Sequence, residues 1–119
     1  MIVHIKSAKI KRLFLDVYSS LPEPPTNIHE VGDETQLKGA DELLGLTYEC
    51  FGGKCDIYLN SKLLLEYFGD NGIRGIIAHE LAHAYLGHPG SLLSTQPEMD
   101  EYLENAADDL VREWGYIVI

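Results

Sequence analysis

His79, Glu80 and His83 form the pattern H-E-x-x-H, and Glu104 and Asp108 repeat its four-residue spacing with carboxylates. On an α-helix, residues four apart lie about 40° apart around the axis and one turn along it. Imidazoles at 79 and 83 therefore project from one face, at a separation suited to a single tetrahedral metal ion. Glu80 stands beside that face, where its carboxylate can take a proton from a water the metal has acidified. Such a set suits metal-assisted attack of water on a carbonyl. A catalytic zinc takes three protein ligands and keeps one position open, so one more ligand is required. Glu104 is the best candidate. Asp108, on the same side of its helix, is placed to accept a hydrogen bond from the other ring nitrogen of a ligating histidine, His79 in particular, which fixes the ring and raises its basicity. His88 competes for the third position, but a histidine five residues after His83, with Gly87 at four, is out of register with the longer zinc signature, which has glycine at three and histidine at six. It suits the helix C-terminus instead.

The elements that must hold these residues can be read from periodicity. Ile76, Ile77, Leu81, Ala82 and Ala84 make the helix from Ile73 to about Leu86 apolar nearly all round. A buried carboxylate at Glu80 then needs a compensating partner. Gly87-His88-Pro89-Gly90 stops that helix. A second helix, Glu98 to Trp114, carries Glu104, and Ala106 and Ala107 allow it to approach the first closely. Earlier, Ser7 caps a helix to about Tyr18 with Ile10, Leu13, Phe14 and Val17 on one face, and Pro22, Pro24 and Pro25 end it. Ile2 to Ile5 is a short strand or a lead-in. Thr26 to Val31 reads as a strand, with a turn at Gly32-Asp33, and residues 34–42 have no assignment. Leu44 to Glu49 and Cys55 to Asn60 form a hairpin across Gly52-Gly53. A short helix over Lys62 to Phe68 closes at Gly69-Asp70-Asn71-Gly72. The expected fold is α+β: an N-terminal helix, a short mixed or antiparallel sheet, a motif helix and a C-terminal glutamate helix. Tyr116 to Ile119 is expected to be a terminal strand, with a segment lying over the cleft as the alternative.

The bulk properties narrow the function. The chain of 119 residues fits one domain, 1–119. Its formal charge of −10 repels phosphate backbones and anionic lipid, so neither nucleic acid nor membrane is an expected partner. No stretch approaches the ~20 apolar residues of a membrane span. The first residues interleave basic and apolar side chains unlike a signal peptide, which makes the cytoplasm the expected location. Cys50 and Cys55 make no disulfide framework and read as reduced thiols, with an oxidisable pair across the hairpin as the alternative. No feature assigns an oligomeric state.

The combination His79-Glu80-x-x-His83 and Glu104-x-x-Ala107-Asp108 resembles the gluzincin metallopeptidases. It is most similar to their compact, minigluzincin-like forms and to the domain of repressor-cleaving immunity peptidases. The resemblance spans roughly Cys55 to Gly115. It implies a zincin-like fold and a Zn2+-dependent hydrolase that cleaves peptide bonds of an extended polypeptide. It also implies that Ile57-Tyr58-Leu59-Asn60 forms the upper edge of the cleft, pairing with substrate as a strand. The chain departs from larger gluzincins in having no histidine after Glu104 to stabilise an oxyanion. His4, His29, Tyr48, Tyr102, Arg112 and Tyr116 are open alternatives. The competing reading is a catalytically weak zinc-binding regulatory or protein-interaction module on the same fold.

Overall fold

The computed structural model describes residues 1–33, 44–49, 51–87 and 97–119. His88, Cys50, residues 34–42 and the side chain of Tyr48 lie outside the described residues. Among the described residues the α-helices and strands follow in the order β1 (Ile2–Val3), α1 (Ala8–Ser20), β2 (Ile28–Asp33), β3 (Gly45–Glu49), β4 (Cys55–Leu59), α2 (Ser61–Tyr67), α3 (Asp70–Leu86) and α4 (Pro97–Glu113). Four helices and a mixed four-stranded sheet make a small α+β fold.

Helix α1 begins where a cap begins it: the Ser7 hydroxyl accepts from the Ile10 N–H at 3.2 Å. Its Ile10, Leu13, Phe14 and Val17 are all buried, as their spacing requires. The sheet runs β1-β2-β4-β3, with β1–β2 and β2–β4 parallel and β3–β4 antiparallel. Val31, Ile57 and Leu59 send their side chains into one core with Phe14 of α1 and Ile77 and Leu81 of α3. The β3–β4 hairpin turns through a single 3-10 turn, Phe51–Gly53, in which Gly52 and Gly53 have φ of 70° and 76°. Those positive angles are why two glycines stand there.

Helix α3 is the spine of the molecule. It packs on α1, α4 and the sheet, and its buried residues run from Ile73 to Ala84 on several sides. It ends at Gly87, whose φ of 69° is the left-handed C-terminal stop. The small side chain of Ala107, fully buried, sits where α4 meets this core. Among the described residues no helix is long and apolar enough to cross a membrane.

Four local expectations are corrected. Gly32 and Asp33 end strand β2 instead of forming a turn. Asp33 is held there by the Lys6 N–H at 2.9 Å and the Ser61 hydroxyl at 2.5 Å. Asp70-Asn71-Gly72 is the first turn of α3, not a linker. An acidic residue suits that position, and Asp70 also pairs with Lys9 of α1 at 2.8 Å. Strand β4 is not an edge, because β2 and β3 flank it; among the described residues the outer strand on that side is β3. Residues 116–119 form no strand; the tail instead crosses α3 so closely that a Cβ on Gly75 would stand 2.1 Å from the Ile117 carbonyl oxygen.

Candidate metal centre

Helices α3 and α4 bring the two sequence motifs face to face. The Nε2 atoms of His79 and His83 are 3.1 Å apart, with the rings edge-on at 90°. Glu104 meets both: its Oε2 is 2.9 Å from His79 Nε2 and its Oε1 is 3.2 Å from His83 Nε2. Around a tetrahedral zinc, nitrogen and oxygen donors ~2.0–2.1 Å from the ion lie roughly 3.3 Å from one another. The three side chains therefore already have close to the mutual spacing that the ion imposes. Two imidazoles and one carboxylate are also the right chemistry for zinc. Asp108, one turn beyond Glu104, places Oδ1 3.1 Å from His79 Nδ1, the hydrogen bond that orients a ligating ring.

The electrostatics follow from this crowding. Burial pulls the His79 ring towards neutrality, but the hydrogen bond with Glu104 and the charges of Glu80, Glu104 and Asp108 outweigh it. Its pKa is raised to about 9. Hydrogen bonds from His79 and His83 hold Glu104 well below the usual carboxylate range.

Glu80 is in a different setting. It is buried, with 6% of its surface exposed. Burial pushes its carboxyl up, and the hydroxyl of Thr47 works against that shift by donating to Oε2 at 2.6 Å. The Glu80 carbonyl is 3.2 Å from the same hydroxyl, so the carboxylate is the better acceptor. Gly45 gives Glu80 its space: a Cβ there would be 3.0 Å from its Cγ and Oε1. Neither Thr47 nor Gly45 was singled out by the motif. The glycine inside a strand pattern is a signal of close approach that would have found one of them.

These groups open on a cleft of about 260 Å³, walled by Leu44 and by Gly45 at the start of β3, by α3 through Ile76, and by α4 through Val111. Val118 and Ile119 of the tail also line it. The tail thus takes the alternative place considered for it, over the cleft. Among those with described side chains, the open alternatives for oxyanion stabilisation are engaged or turned elsewhere. His4 pairs with Glu30, His29 with Asp56, Arg112 with Asp109 and Tyr116 with Ser20, while Tyr102 is exposed. None of these five lines the cleft.

Residues 49–104 match the model of Peptidase family M48. The match covers a little under half of the chain, from the end of β3 through the H-E-x-x-H helix to Glu104. It supports a zinc metallopeptidase type of protein, the class the donor set suits. No curated protein and no solved structure matched the chain.

Proposed function

We propose that the chain is a zinc-dependent peptidase, a single domain over residues 1–119, that hydrolyses peptide bonds of an extended polypeptide. His79, His83 and Glu104 hold the zinc, Asp108 orients His79, and Glu80 is the general base. The observation that carries this reading is the convergence of three donor atoms beside a buried carboxylate. Zinc bound there supplies Lewis acidity to the scissile carbonyl and to an attacking water.

The chain's own groups supply the rest. Glu80 accepts the water's proton, and its raised pKa suits it to return that proton to the leaving amine. Thr47 fixes Oε2, which leaves the other carboxylate oxygen for the water. Among the described residues, strand β3 ends the sheet on the cleft side, so its outer backbone edge can pair with an extended substrate. This assigns to β3 the role first expected of Ile57-Tyr58-Leu59-Asn60. The compact architecture supports the minigluzincin-like subtype.

One observation favours a second reading, a zinc-binding regulatory or interaction module with negligible turnover. No described residue with a cationic or hydroxyl side chain, other than the proposed zinc ligands themselves, lines the cleft to stabilise an oxyanion. The test strips the protein with a chelator, restores zinc and follows cleavage of an unfolded protein. The peptidase reading expects cleavage that depends on zinc, and loss of bound zinc in Glu104→Ala. Cleavage of neither an unfolded protein nor any member of a peptide library leaves the module reading. Zinc retained in Glu104→Ala but lost in His88→Ala overturns the ligand set.

A further inference from the structure

On the sheet surface opposite the core, a second group of metal-ligating side chains converges away from the cleft. Cys55, Ile57 and Leu59 face the core, so Asp56 between them faces outward. Glu30 is its partner in register on β2. Simple alternation would turn His29 to the opposite face from Glu30. The β2–β4 ladder, however, slips between Ile28 and Glu30, where two residue steps on β2 match one on β4. That bulge leaves both His29 and Glu30 on the outer surface, with Ile28 and Val31 buried on either side. His29 Nδ1 lies 3.1 Å from Asp56 Oδ1 and 4.0 Å from Glu30 Oε2, and donor atoms of all three residues fall within 4.8 Å of one another.

His4 completes the arrangement. Its ring rests on Gly32, where a Cβ would come within 2.7 Å of Cε1, and its Nε2 bonds Glu30 Oε1. Glu30 is thus gripped by one oxygen while the other points towards His29. A bulge that re-aims one histidine and a glycine that seats another are two separate backbone adjustments serving the same cluster.

We propose that His29, Glu30 and Asp56 form a second zinc site, with His4 holding Glu30 in position. One imidazole and two carboxylates carry two negative charges, which balances a divalent cation. The imidazole selects zinc and its transition-metal neighbours over magnesium or calcium. The observed separations bracket the roughly 3.3 Å expected between donors on a tetrahedral ion. The His29 side chain is 50% exposed and that of Asp56 12%, so the site is reachable from solvent yet anchored in the sheet. Occupancy would tie β2 to β4 across the bulge.

The probe is zinc alone, added to the chelator-stripped full chain, with bound metal measured after removal of excess. Wild type is expected to hold about two equivalents, and His29→Ala about one. His83→Ala, which disables the first set, is expected to keep about one, and the double variant to keep none. His29 is half-exposed, so its replacement by alanine leaves the fold intact. Long-range 1H–15N spectra of wild type give an independent reading, in which the His29 ring resonances move on zinc addition. Equal zinc in wild type and His29→Ala, or histidine shifts confined to His79 and His83, overturns the second site. Failure of the cleft site alone would show differently, as zinc that His29→Ala loses and His83→Ala does not.

Discussion

Thr47→Val removes the hydroxyl that donates to Glu80 at 2.6 Å and keeps the side chain's shape. A hydrogen bond from a neutral donor to a buried ionised carboxylate is worth about 1.5–3 kcal/mol. The Thr47 hydrogen bond favours the ionised form of Glu80, which burial opposes. Its loss therefore raises the Glu80 pKa further, by about one to two pH units at 1.36 kcal/mol each. A base must be ionised to act, so the acid limb of kcat/KM against pH should move upward by that amount. Zinc content should not change, because Thr47 touches none of the three proposed ligands. The assay is cleavage of a quenched peptide by zinc-loaded protein across the acid limb, with Thr47→Ser as the control that restores the hydroxyl. An unmoved acid limb in Thr47→Val, at full zinc content, refutes the view that this hydroxyl tunes the base.

Three further outcomes are expected. Asp108→Asn should weaken zinc binding 10–100-fold in competition with a chelator, since the His79 ring loses its anionic partner. Gly75→Ala, a change that usually stabilises a helix by about 0.5–1 kcal/mol, should destabilise here by about 1–3 kcal/mol in denaturant titration. Its Cβ would stand 2.1 Å from the Ile117 oxygen, and the tail must move. In zinc-free protein, the raised His79 pKa contributes stability that is complete below 6.5 and lost as pH climbs through about 9. The depressed Glu104 pKa contributes stability present above 4.5 and lost as pH falls through its folded value. The melting temperature of chelated protein should therefore drop between pH 6.5 and 9.5, by an amount worth at most about 3 kcal/mol and less because Glu104 is partly exposed. A flat profile over that range contradicts the coupling.

The helices were legible because their signals are local. Ser7 and Asn60 cap α1 and α2 through their own side chains, and α1 buries the four residues its period selects. The hairpin was legible in the positive-φ pair Gly52-Gly53. The pairing of Glu104 with His79 was legible from shared helical spacing, since each motif presents one face. What escaped was set by contacts distant in sequence. Gly32 and Asp33 belong to a strand because they pair with Tyr58 and Leu59 of β4, and Lys6 and Ser61 hold the Asp33 carboxylate there. Strand order also escaped: β2 inserts beside β4, which makes β3 the outer strand on that side among the described residues. Thr47 met Glu80 only through that order, 33 residues apart in the chain.

The central claim is that Glu80 acts as base beside a zinc held by His79, His83 and Glu104. Its most direct measurement compares cleavage of an unfolded protein by wild type and Glu80→Gln at matched zinc content. Glu80→Gln is expected to keep its zinc and to lose cleavage by roughly 10²–10⁴-fold. Equal cleavage by the two proteins at equal zinc would contradict it.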